Sequence, residues 1–147
     1  MDNEIDSLID NSTFTDVSKS SGGRWVYSIK DGPNDEELLK ARYVAKGYNQ
    51  VKGKDYFETF APTAKMSSLR ILMQISAHNN LLLHQMDVKA AYLNAEIDCD
   101  IYVEAPEGYR QENIIWKLQK SLYGLKQSGR NWNFTIHNFL THHKFVR

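Results

Sequence analysis

The chain has 147 residues, 41% hydrophobic and 24% charged, the size and mix of one small globular domain. Its 3 Trp, 8 Tyr and 6 Phe exclude a disordered chain, and the single Cys99 excludes an internal disulfide. No apolar run approaches the roughly 18 to 20 residues of a membrane span, and 18 basic residues balance 18 acidic ones, leaving no overall excess to attract a polyanion.

Ile5, Leu8 and Ile9 stand at the spacing of a short amphipathic helix, and the Ser/Thr/Asp-rich run Asn11–Gly23 behind it reads as a loop. Residues 1–23 are thus expected to be a leader helix and linker outside the core. Met1–Asp10 is acidic where a signal peptide is basic and then apolar, so the expected location is intracellular and cytoplasmic, without secretion or a membrane partner. Arg24–Ile29 alternates apolar and polar residues, Asp31–Asp35 is dense in turn formers, and Leu38–Tyr48 resumes extended character, which together predict a β-hairpin. Alternation in its second strand puts Lys40, Arg42, Val44 and Lys46 on one face and Leu39, Ala41, Tyr43 and Ala45 on the other. One face is cationic and the other apolar.

Ser67 and Ser68 are candidate N-caps for a core-facing helix over Leu69–His78. Leu81–Val88 is an apolar run of strand length that would deliver Asp87 at its C-terminal end, and Ile101–Glu104 and Ile114–Leu118 predict two further short strands. Ser128 would cap a last helix through about His143, with Trp132, Ile136, Phe139 and Leu140 on one stripe. Strands and helices mix without strict βαβ alternation, so the expected class is α+β. Trp132 reads as core rather than as a base-stacking platform. His137, His142 and His143 lack the i, i+4 spacing of a helical metal site and read as surface residues.

Charge is segregated along the chain. Residues 1–37 hold three basic and nine acidic residues, and residues 38–70 hold seven and two. Residues 71–116 hold two and seven, and residues 117–147 hold six and none. Two basic segments about an acidic one would frame a phosphate-lined groove beside a metal-binding carboxylate, and the plainer alternative is a set of solvated faces.

Four segments in order, KARYVAKGY (Lys40–Tyr48), FETFAPTAK (Phe57–Lys65), HQMDVKAAYL (His84–Leu93) and KSLYGLKQ (Lys120–Gln127), closely resemble the reverse transcriptase domain of copia-type LTR retrotransposons. The resemblance runs from about Arg24 to Arg147, and the leader also looks like the stretch that precedes that domain. It implies an incomplete right-hand polymerase, with 24–86 as a fingers-like region and 87–147 as a partial palm.

Such an enzyme uses two divalent ions, Mg²⁺ or Mn²⁺, about 3.5 to 4 Å apart, to stabilise the attacking and leaving oxygens of nucleotidyl transfer. The resemblance makes Asp87 the first catalytic carboxylate and metal ligand, with the Val88 carbonyl beside it. Tyr92 matches the aromatic beneath the sugar of the incoming nucleotide, where a ring rejects a 2′-hydroxyl. Lys40, Arg42 and Lys46 match the cations that bind the triphosphate, a task that favours a bidentate guanidinium at Arg42. Tyr123, Gly124, Lys126 and Gln127 match the support of the templating pair, with Gly124 allowing close approach to nucleic acid. Each has a plainer alternative: a strand-end Asp, a packed Tyr, solubilising cations and a turn glycine.

The family's next landmark is a hairpin bearing Tyr-Val-Asp-Asp, and this sequence has no Asp-Asp pair. Asp98 and Asp100 do not correspond to it. The connector between Phe14 and Arg24 also lacks the family's usual Leu-Pro-containing stretch. The expected function is therefore the N-terminal part of a copia-type reverse transcriptase, catalytically incomplete alone and too poor in carboxylates to hold the metal pair stably. Its expected partners are an RNA or DNA template-primer, dNTP and the remainder of the polymerase, whose absence would leave an apolar palm edge prone to self-association. The alternatives are a non-catalytic nucleic-acid or nucleotide-binding remnant and a fragment without function.

Overall fold

A computed structural model of the chain describes residues 2–11, 13–17, 22–32, 36–109 and 114–146. In chain order the elements are helix α1 (Asp2–Asp10), strands β1 (Phe14–Val17), β2 (Gly23–Asp31) and β3 (Glu37–Ala45), and helix α2 (Met66–His78). Strands β4 (Tyr102–Glu104) and β5 (Ile115–Leu118) and helix α3 (Ser128–His142) follow, with short 3-10 turns at Gly47–Asn49 and Ala91–Asn94. These form two small antiparallel sheets, one ordered β1-β5-β4 and the other the β2-β3 hairpin. Mixed helices and antiparallel strands agree with the α+β expectation. Among the described residues no helix is long and apolar enough to cross a membrane.

The hairpin follows the sequence pattern closely. Its register sets Trp25 opposite Tyr43, Tyr27 opposite Ala41 and Ile29 opposite Leu39. Because side chains alternate, Arg24, Lys30, Lys40 and Arg42 share the other face. The Gly32 amide closes the loop by donating to the Glu36 carbonyl at 2.7 Å, while 33–35, within the predicted turn, lie outside the described residues. The second strand stops at Ala45, and the chain then turns at Gly47–Asn49, so Lys46 lies past the predicted strand's real end.

One core gathers Leu8 from α1, Tyr43 and Ala45 from β3, Ile101 and Val103, Trp116 and Leu118 from β5, and Leu93, Leu122 and Leu125. Aromatic packing organises it: Phe14 stacks on Trp116 with ring centroids 3.6 Å apart, and Tyr109 and Tyr43 meet the same indole edge-on at 5.1 and 6.2 Å. Tyr43 also donates its hydroxyl to the Glu104 carbonyl, tying the hairpin to β4.

Five expectations are corrected. The loop predicted over Asn11–Gly23 contains β1, which pairs with β5 across about a hundred residues, and 18–21 of that run lie outside the described residues. The leader is not outside the core either, since Leu8 is fully buried. Leu81–Val88 forms no strand; its leucines, Met86 and Val88 are exposed, because an apolar run without a ladder partner gains nothing from extension. Helix α2 starts at Met66, so Ser67 and Ser68 lie inside its first turn rather than capping it, and Leu69, Ile71, Leu72, Met73 and Ile75 are all exposed. Likewise Ser128 is the first residue of α3, not its cap, and donates its hydroxyl to the Leu122 carbonyl at 2.6 Å.

The hairpin meets the 122–125 turn at two glycines. A Cβ on Gly47 would overlap the Gly124 carbonyl, and one on Gly124, whose φ is +88°, would overlap the Ala45 carbonyl. Gly47→Ala is expected to destabilise the chain by at least about 2 kcal/mol, because neither overlapping partner is a movable side chain. Urea unfolding checks this, and an unchanged midpoint would show that the two backbones do not approach closely.

Candidate nucleotide site

Strand β3 carries Arg42 on its cationic face, and the turn after Leu122 brings Tyr123 beneath it: the guanidinium carbon lies 5.6 Å from the Tyr123 ring centre, within cation–π range. The 3-10 turn Ala91–Asn94 then sets the Tyr92 ring 5.4 Å from that of Tyr123. Three residues from three distant segments thus form one row of guanidinium, phenol and phenol. Lys40, exposed on the same face two residues before Arg42, extends the positive edge.

A fourth group enters from α1. The Tyr43 amide donates to Glu4 Oε1 at 3.4 Å, and the half-buried carboxylate feels the charges of Arg42 and Lys40. Burial dominates and holds the Glu4 carboxyl above the usual carboxylate range, against the pull of the Tyr43 amide and of the two cations. Burial also raises the Tyr123 phenol, Glu4 adds to the rise, and Arg42 opposes it by charge and hydrogen bonding. A positively charged, aromatic-backed ledge of this kind suits an anionic ligand with a flat or ring-shaped portion.

The other predicted residues are placed differently. Asp87 and Val88 lie on the exposed stretch before Ala90, which adopts φ +49° to start the turn that carries Tyr92. Lys46 packs its side chain along Gly22 and its amide donates to the Gly22 carbonyl at 3.0 Å. Gly124 is required by the protein backbone beside it, where a Cβ would overlap the Ala45 carbonyl. Gln127 is fully buried, and Lys126 donates to the Gln50 carbonyl at 3.1 Å with its ammonium 5.0 Å from the Tyr56 ring centre. Both therefore tie the Gln50–Asp55 loop to the start of α3.

Asp98 and Asp100 are engaged by Arg130 at 3.8 Å and Lys117 at 2.8 Å. Trp132 is half-buried, and His137, His142 and His143 are exposed as expected. Glu4 and Gln50 had no signal in the sequence, since an acidic helix residue and a loop amide belong to no chemical motif. Among the described residues no group of three His, Cys, Asp or Glu side chains could hold a metal ion, so the residues present do not by themselves fit a two-ion site.

Mixed helices and two small antiparallel sheets thus bring Arg42, Tyr123 and Tyr92 together on one surface. Residues 5–147 match the family model described as reverse transcriptase (RNA-dependent DNA polymerase), and the chain belongs to that family. It is 37% identical to the retrovirus-related Pol polyprotein from transposon TNT 1-94 of Nicotiana tabacum, over 100% of this chain and 12% of that polyprotein. It is 36% identical to the retrovirus-related Pol polyprotein from transposon RE1 of Arabidopsis thaliana, over 99% of this chain and 11% of the other. The truncated transposon Ty1-A Gag-Pol polyprotein of Saccharomyces cerevisiae is 36% identical over 69% of this chain and 8% of its own length. The chain thus spans about an eighth or less of these relatives. No solved structure matches it.

The Glu4 shift has a definite sign. Because the folded chain holds this proton more tightly than the unfolded one, the associated stability is full below the ordinary carboxylate pKa and is lost as pH rises through the raised value. Glu4→Gln keeps an acceptor for Tyr43 and cannot ionise. It is expected to raise Tm near neutral pH and leave it unchanged below about pH 3.5. A lower Tm at neutral pH alone would mean that Arg42 and Lys40 hold the charge more strongly than burial opposes it.

Proposed function

We propose that the chain forms the nucleotide-binding side of a copia-type reverse transcriptase. In this reading 1–23 is the leader, 24–86 corresponds to the fingers and 87–147 to the first part of the palm of a right-hand polymerase. The convergence of Arg42, Tyr123 and Tyr92 carries the proposal, because residues from three separate segments of the resemblance, two matched to the nucleotide and one to the templating pair, meet in one row.

Each member has a role its chemistry suits. Arg42 grips the triphosphate through a fork of N–H donors, with Lys40 adding charge, and a guanidinium fixed over a ring loses little freedom on binding. Tyr92 packs under the sugar and disfavours a 2′-hydroxyl. Tyr123 supports both from behind. Lys46, Gly124, Lys126 and Gln127 contribute by shaping the loops, not by touching ligand. Asp87, with the Val88 carbonyl, is the proposed first ligand of a divalent metal, Mg²⁺ or Mn²⁺, in the complete polymerase, where nucleic-acid template-primer and the other carboxylates are also supplied. In this chain alone Asp87 has solvent for a neighbour, and polymerisation belongs to the larger assembly.

The test is binding of a dNTP with Mg²⁺ to the whole chain, measured by equilibrium dialysis. Arg42→Ala is expected to weaken binding about tenfold or more, and Lys144→Ala, beyond the C-terminal end of α3, to leave it unchanged. Tyr92→Ala is expected to narrow the preference for dNTP over NTP. Wild-type chain that binds no dNTP, or an Arg42→Ala variant that binds as well as wild type, contradicts the proposal. Primer extension on RNA by the chain alone, abolished by Asp87→Asn, would contradict the part that reserves catalysis for the larger assembly.

A further inference from the structure

The loop after β3 and the start of α3 are joined by a closed set of hydrogen bonds that the nucleotide chemistry does not use. Gln50 Nε2 donates to Gln127 Oε1 at 2.9 Å, and Gln127 Nε2 donates to the Asp55 carbonyl at 2.9 Å. Gln50 Oε1 accepts from the Lys126 amide at 2.8 Å, and the Gln50 carbonyl accepts from the Lys126 ammonium at 3.1 Å. Two side-chain amides thus make three contacts, and the Lys126 ammonium a fourth, between segments 72 to 77 residues apart. Gln127 is completely shielded from water, so every bond it makes is one it cannot recover from solvent.

These bonds bracket the nucleotide ledge. On one side the Gln50 loop continues from β3, whose Arg42 lies eight residues earlier; on the other, Lys126 and Gln127 follow Tyr123 within four residues. Between them the Ala45 amide donates to the Tyr123 carbonyl at 2.8 Å. Any slip of the Gln50 loop against the α3 start would therefore shift Tyr123 relative to Arg42. Lys126 reinforces the lock by lying 5.0 Å from the Tyr56 ring centre, on the same loop as Asp55.

We propose that Gln50 and Gln127 are positioning residues that fix the Arg42–Tyr123 pair by clamping the loop after β3 to the α3 start. The proposal rests on the reading of that pair as a nucleotide site only for its consequence in binding; the positioning itself is independent of it. A buried amide relay suits the task because its geometry is directional, whereas apolar packing alone tolerates sliding.

The test uses the whole chain with Gln50→Met, in which the amide is replaced by an apolar side chain of similar length, and Gln50→Glu, which keeps the acceptor for the Lys126 amide. Two readouts are taken. The first is the ring-current displacement of the Arg42 Nε–H resonance by the Tyr123 ring, calibrated with Tyr123→Leu, which a merely stabilising contact would leave in place in a folded variant. The second is the dNTP·Mg²⁺ dissociation constant. Gln50→Met, with a cooperative melt retained, is expected to move the Arg42 resonance toward its Tyr123→Leu position and raise the dissociation constant about three- to tenfold, with Gln50→Glu intermediate in both.

An unmoved Arg42 resonance in a folded Gln50→Met chain overturns the proposal whatever the affinity does. So does failure of both variants to fold, since the contacts would then be structural only. A moved resonance in a chain whose wild type binds no dNTP supports the positioning and overturns the nucleotide reading instead.

Discussion

The structure turns on the place where the end of β3 runs against the backbone of the 122–125 turn. Ala45 gives its amide to the Tyr123 carbonyl, and Gly47 and Gly124 face each other with no room for a side chain on either. That contact joins the hairpin to the body of the domain, because the hairpin's far end is largely bare: Tyr27, Ile29 and Leu39 are 66%, 63% and 82% exposed. Everything the hairpin contributes to the core, Tyr43 and Ala45 above all, comes from the two or three residues nearest the junction. An isolated two-stranded hairpin is marginal in water, so its order here is borrowed from this end.

The same contact makes the candidate site. Arg42 is one residue before Tyr43 and three before Ala45, so fixing Ala45 fixes the guanidinium. Tyr123 is one residue before Gly124, so the close approach of the glycines fixes the ring beneath it. Tyr92 reaches the row by a different route, from a turn whose Leu93 is buried in the core. The row thus borrows its rigidity from buried groups, while Arg42, Tyr92 and Tyr123 themselves stay partly exposed. Asp87 has no such anchor, being exposed on a stretch outside any strand.

Much of this was legible in the sequence where a feature is local. The hairpin could be read from strict alternation of Lys40, Arg42 and Val44 with Leu39, Ala41 and Tyr43, because a strand's two faces repeat every second residue. The candidate site residues came from the family resemblance, and Arg42, Tyr92 and Tyr123 do lie together. What failed was non-local. β1 is four residues long, carries Thr and Asp, and exists only because β5 offers it an edge. Leu81–Val88 has the composition of a strand without a partner, and α2 has the periodicity of a core helix without a core against it. Leu8 looked like part of a detached leader because nothing nearby shows that Trp116 and its neighbours would bury it. Gln50 carries no pattern at all, since its importance comes from a partner 77 residues away.

The most direct measurement of the central claim is native-state amide hydrogen exchange at Ala45, compared with Lys40 in the outer half of the hairpin, opposite Ser28. If the β3 end is the point on which hairpin, core and site depend, the Ala45 amide exchanges only through global unfolding, orders of magnitude more slowly than Lys40. Exchange at Ala45 as fast as at Lys40 would show that the hairpin opens independently of the body, and that Arg42 and Tyr123 are not held together by the fold.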